Sequence, residues 1–89
     1  MHVATGEGPA VDLLTRRIIY PEGDVQEIPH DLRVNQIVDL NGYPLQLPLA
    51  DARIIAYRVY RKSTSVARHE ETVSYFLELV PVRELETLT

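Results

Sequence analysis

The groups able to do acid–base or metal chemistry in this 89-residue chain are 13 carboxylates and three histidines, with no cysteine. Without cysteine there is no thiolate nucleophile, no disulfide and no sulfur-ligated metal. His30 and His69 lie far apart in separate turn-like segments, and the neighbouring Glu70 and Glu71 point in different directions in most backbones. No ligand spacing is encoded there, so the reading is metal: none, with these residues solvated in loops. Asp31, just after Pro29 and His30, reads as a turn residue bonding the local backbone.

A hydrolytic triad needs a hydroxyl beside a histidine and a carboxylate. Ser63 and Ser65 fall in a polar segment and Ser74 in the middle of a strand, and none has the strand-to-helix setting of an activated nucleophile. Gly6 and Gly8 precede Pro9 near the start rather than joining a strand to a helix, so they form no phosphate loop. No catalytic residue and no cofactor is expected, and the balance leans away from an enzyme.

The window that does stand out is RIIAYRVYRK, residues 53 to 62, where basic and aromatic side chains punctuate an apolar run. Strand side chains alternate between faces, so this run is two surfaces. Ile55, Tyr57 and Val59 fall on one face, the expected core. Arg58, Tyr60 and Lys62 fall on the other, joined by Phe76 from the next strand and by Arg68 from the intervening segment. Arginine offers bidentate polar contacts and the aromatics an apolar anchor, the residue types enriched at protein interfaces. The same set on a small barrel would suit single-stranded nucleic acid, with bases stacked on the rings.

Charge helps to rank these readings. The net charge is -4, yet Arg53, Arg58, Arg61, Lys62 and Arg68 occur in succession with no acid among them. An acidic protein with one local basic stripe fits protein recognition better than bulk nucleic-acid binding. Ile54, Ala56, Tyr60, Phe76 and Val80 also leave more apolar surface on the outer face than a solvated sheet needs, so something must cover it. The candidates are the C-terminal helix, through Val82, Leu85 and Leu88, or a second copy of the chain.

These residues must be positioned by short elements. Residues 1 to 10 read as a flexible lead-in, and 11 to 89 as a single small domain. A strand at about 13 to 20, a turn at Pro21 to Gly23 and a short edge strand ending at Pro29 come first. A strand at about 34 to 40 then turns through Asn41 and Gly42, the dipeptide best suited to a type I′ hairpin, and returns through Tyr43 to Leu47. The best strands are 53 to 62 and 72 to 80, joined by an extended mobile loop over 63 to 71. A short helix follows Pro81.

The expected fold is therefore mostly β: a small antiparallel sandwich or partly open barrel of five or six strands with a short C-terminal helix. No apolar run approaches a membrane span and the start lacks a secretory pattern, so a cytoplasmic protein is expected. The functional expectation is a small binding domain acting through a protein partner or itself as a homo-oligomer. Nucleic-acid binding by the same face is the alternative.

Overall fold

A computed structural model describes residues 13–89. The expected flexible segment at 1 to 10 lies outside the described residues. The protein is mostly β: a five-stranded sheet curled into a half-barrel, with a short C-terminal helix. In chain order the elements are β1 (Leu13–Ile19), β2 (Val25–Ile28), β3 (Ile37–Val38), β4 (Tyr57–Ala67), β5 (Glu70–Leu79) and α1 (Val82–Thr87). Across the sheet the order is β2-β1-β5-β4-β3.

Not every pairing is antiparallel. β1 pairs with β5 in parallel, Leu13 opposite Glu70 through Ile19 opposite Phe76. This joins two hairpins, β1–β2 and β4–β5, into one sheet. A parallel partner needs a long crossover. The whole segment from residue 29 to 56 supplies it, running across one face of the sheet and adding β3 at the far edge.

That crossover makes the main core. Ile28, Leu32 and Val38 pack onto Ile18, Tyr57, Val59, Val73, Tyr75 and Leu77, with Tyr20 at the margin. A second cluster forms on the opposite face at one end, where Leu85 of α1 meets Ile37, Leu49, Ala56 and Val80. Leu49 N–H donates to the Leu88 carbonyl at 2.7 Å, tying the crossover to the helix end. Leu85 and Leu88 thus perform the covering role read from their spacing, whereas Val82 stays exposed.

Several local expectations need correction. The segment from 34 to 40 forms only the two-residue β3, because Arg33 to Gln36 closes a turn with Asn35 at φ 77°. Its expected return arm reduces to a single bridge between Val38 and Pro44, since prolines at 44 and 48 withhold the donors a ladder needs. Asn41–Gly42 does not form the type I′ turn, because only Gly42, at φ 87°, has positive φ. Instead Asp39 Oδ1 accepts the N–H groups of Asn41 and Tyr43 at 2.8 and 2.9 Å, and Gly42 N–H donates to the Asp39 carbonyl. A side chain at Gly42 has no room: a Cβ there would meet Ile18 Cδ1 at 2.9 Å.

The largest correction concerns the last hairpin. Residues 53 to 56 lie outside the strand, and Ile55 is exposed rather than core. The expected loop at 63 to 71 is instead continuous strand on both sides of a two-residue turn at Arg68 and His69, with Arg68 at φ 57°. Ser63, Thr64 and Ser65 are followed there by Val66 and Ala67, and the β-branched Thr64 and Val66 suit a strand although both are exposed. Leu79, which alternation along 72 to 80 sets on one face with Val73, Tyr75 and Leu77, is exposed, while its neighbour Val80 is buried beside the helix.

Candidate functional site

The candidate site depends on one irregularity. In β4, Val59 lies opposite Leu77 but Arg61 lies opposite Phe76, so Tyr60 is an extra residue in a β-bulge. A bulge sets two residues of one strand against one of the other and reverses the alternation beyond it. Before the bulge, the odd-numbered Tyr57 and Val59 face the core. Beyond it the even-numbered Lys62 does, opposite Tyr75.

The five residues singled out in the sequence are therefore dispersed. Arg58 faces outward opposite Glu78, with Nη1 at 3.2 Å from its Oε2, and Nη2 is also paired with Glu84 of α1. Two carboxylates neutralise this arginine and use it to fasten the helix to the sheet. Lys62 lies on the opposite face, its Nζ 6.0 Å from the centroid of the Tyr75 ring. Arg68 sits at the hairpin tip, away from the base of the strand. Only Tyr60 and Phe76 remain together, with ring centroids 6.3 Å apart.

A residue that strict alternation had assigned to the core face replaces Lys62. Arg61 lies outward, its guanidinium carbon 5.0 Å from the centre of the Phe76 ring. The observed cluster is thus Tyr60, Arg61 and Phe76, flanked by Ile19 opposite Phe76 on β1 and by Arg17, whose Nε donates to Ser74 Oγ at 2.9 Å. Tyr60 is 50% exposed, and α1 ends its coverage at Ala56 and Val80. The outer face therefore has a covered end beneath the helix and an uncovered end around the two rings. An arginine over an aromatic face remains available for a carboxylate or carbonyl while its apolar support stays in place.

The other face carries a polar arrangement that was not foreseen. Asp31 does not bond the local backbone as expected. Its Oδ1 accepts from Arg16 Nε at 2.5 Å and, at 3.5 Å, from the Tyr75 hydroxyl. The hydrogen bond from Arg16 holds the Asp31 carboxyl below the usual aspartate range, with the nearby Lys62 acting in the same direction. The tandem arginines serve opposite faces, Arg16 toward Asp31 and Arg17 toward Ser74.

The histidines lie in unrelated settings. His30 Nε2 is 2.8 Å from the Gly42 carbonyl, and its ring stacks obliquely on Tyr43 at 4.9 Å, pinning the 39–43 turn to the start of the crossover. His69, at the hairpin tip, accepts the Leu13 N–H through its backbone carbonyl at 3.1 Å. Among the described residues no three His, Asp or Glu side chains gather as a metal site. No described helix is long and apolar enough to cross a membrane.

No curated protein and no solved structure matches this chain. Residues 16–88, which run from the middle of β1 past the end of α1, match the family described as Uncharacterised Treponema protein, and the chain belongs to that family.

Proposed function

We propose that this is a small cytoplasmic binding domain that acts through protein–protein association, including association with itself, and that its contact surface is the uncovered outer face around Tyr60, Arg61 and Phe76. The observation that carries the reading is the Tyr60–Phe76 pair left beyond the reach of α1, with Arg61 stacked on it. Aromatic rings with an arginine across them are the side chains that most often dominate association energy, and burying the rings removes apolar area from water while the Tyr60 hydroxyl and Arg61 guanidinium take polar partners at the rim.

The alternative, nucleic-acid binding by a basic face, draws less support from the same geometry. Arg58 is already paired with Glu78 and Glu84, Lys62 faces the other way, and Arg17 is engaged by Ser74. A phosphate-binding groove needs several cations on one path. Among the described residues, Arg61 stacks beside the rings on the outer face while the neighbouring cations are engaged elsewhere.

Sedimentation over a concentration series tests the proposal. Self-association that weakens in Tyr60→Ala and Phe76→Ala supports it, and a chain that stays monomeric throughout removes self-association from it. Titration with single-stranded DNA and RNA at two salt concentrations addresses the alternative, for which affinity falling steeply with salt is the signature.

A further inference from the structure

We propose that two copies of this domain join edge to edge through β4, antiparallel about a two-fold axis at Thr64, so that one sheet runs through both. The inference rests on the association reading above and assigns it a second surface and a partner, another copy of this chain.

The edge itself is the first observation. β3 accompanies β4 only at Tyr57 and Arg58, and the last backbone hydrogen bonds from the crossover, among the described residues, join the Val59 N–H and carbonyl to Gln36 and Asn35. From Arg61 to Ala67, β4 has β5 on one side and no strand of the described residues on the other. The direction of its backbone groups follows from the turn. A two-residue loop is closed by a hydrogen-bonded pair, here Ala67 and Glu70, and bonded and non-bonded pairs alternate along an antiparallel ladder. Ala67, Ser65 and Ser63 therefore bond toward β5. The N–H and carbonyl groups of Lys62, Thr64 and Val66 point outward.

An unpaired row of this kind is a template for another strand. Placing Thr64 opposite the partner's Thr64 sets Lys62 opposite the partner's Val66, so every outward-pointing residue meets an outward-pointing residue. The pairing runs from Arg61 to Ala67, stopping at the bulge at one end and the turn at the other.

Charge selects this register. Ala67 is paired with Glu70 and Val66 with Glu71 within each copy. Arg61 would therefore point across the partner's Ala67 toward the partner's Glu70 on one face, and Lys62 across the partner's Val66 toward the partner's Glu71 on the other. Adjacent strands lie about 4.8 Å apart, so each pair is separated by two strand spacings, a gap that two long side chains bridge over a small residue. The two-fold repeats both pairs. Moving the axis to Ser63 puts Arg61 and Lys62 in rows with Thr72 and Val73 instead, and moving it to Ser65 sets Lys62 against the partner's Arg68. Within the chain, among the described residues, none of Arg61, Lys62, Glu70 and Glu71 forms an ion pair.

Sedimentation velocity combined with amide exchange tests the interface. The wild type is expected to dimerise with concentration, and the amides of Lys62, Thr64 and Val66 to gain protection as it does. Thr64→Pro removes one outward donor while leaving the ladder to β5 intact, and should weaken dimerisation by about tenfold or more. Lys62→Glu and Glu71→Lys should each weaken it alone, because each places like charges in a row. Mixing the two variants should restore a dimer, now mixed, since both rows are again complementary. Circular dichroism of each variant confirms that the fold is retained.

Four results would overturn the inference: a wild type monomeric at every concentration, a dimer indifferent to these substitutions, a mixture that fails to recover, or a monomer whose outward amides are already protected by another part of its own chain. Association lost in Tyr60→Ala but retained in Thr64→Pro rejects the edge and keeps the outer face. The opposite pattern keeps the edge and rejects the face.

Discussion

The two ends of the β4–β5 hairpin have the same backbone and different reasons to hold it. At the base, Tyr57, Val59 and Leu77 lie beneath the crossover, while Arg58 reaches Glu78 and Glu84 on the opposite face. In the arm beyond the bulge, Ser65, Val66, Ala67 and Glu70 are exposed, Val66 at 58%, with no core on either side of the tip among the described residues. Burial organises the base. The arm relies on its ladder to β5, on the parallel support of Leu13 and Leu14 from β1, and on strand-favouring residues. An element without a core can be long and regular, but its stability is local and its unsatisfied groups are available to a partner.

The largest expected contrast tests that division directly. Leu77→Ala at the base removes a fully packed side chain and should destabilise the domain by about 2–5 kcal/mol in urea unfolding, whereas Thr64→Ala in the arm should change it by less than about 0.5 kcal/mol. Similar values at the two sites would break the distinction.

Next comes the link between base and helix. Arg58→Ala deletes the ties to Glu78 and Glu84 and should lower stability by about 1 kcal/mol, with faster amide exchange in α1 than in the arm. Arg58→Lys should recover only part of the loss, since an ammonium lacks the planar fork that reaches both carboxylates.

A smaller change at the tip should stabilise the arm. Arg68 occupies a left-handed backbone conformation that costs an ordinary residue energy and glycine almost none. Arg68→Gly should therefore slow exchange of arm amides by an amount equivalent to about 0.5–1 kcal/mol, with the base unchanged.

The smallest effect is the pH dependence where base and arm meet. The hydrogen bond from Arg16 lowers the Asp31 pKa in the folded protein. A depressed carboxyl contributes stability above its unfolded pKa, and that contribution is lost as pH falls through the folded value. Asp31 should titrate by NMR below ordinary aspartates, and Arg16→Ala should move its midpoint upward. A midpoint unmoved by that substitution would show that Arg16 is not the cause.

How far the site was legible turns on Tyr60. Patterning correctly marked Tyr57 and Val59 as core, and it brought Tyr60 and Phe76 to one face. Alternation without a bulge then placed Lys62 beside them and Arg61 in the core row, the reverse of the observed arrangement beyond Tyr60. A bulge leaves little local trace in residue type, because it is a mismatch of length between two paired strands. The exposed Ile55 and Leu79 have a similar origin: alternation continues past the point where the covering layer ends.

The sequence by itself determined the β class, the first hairpin with its Pro21–Gly23 turn, the short helix after Pro81 and the core identity of the strand centres. These follow from local preference and from side-chain periodicity, which each segment carries within itself. Only the tertiary structure decided the parallel joining of β1 to β5, the continuation of strand through residues 63 to 67, the bulge and the edge beyond it, unpaired among the described residues. Each depends on which distant segments meet and how far each reaches, quantities that no single stretch of chain contains.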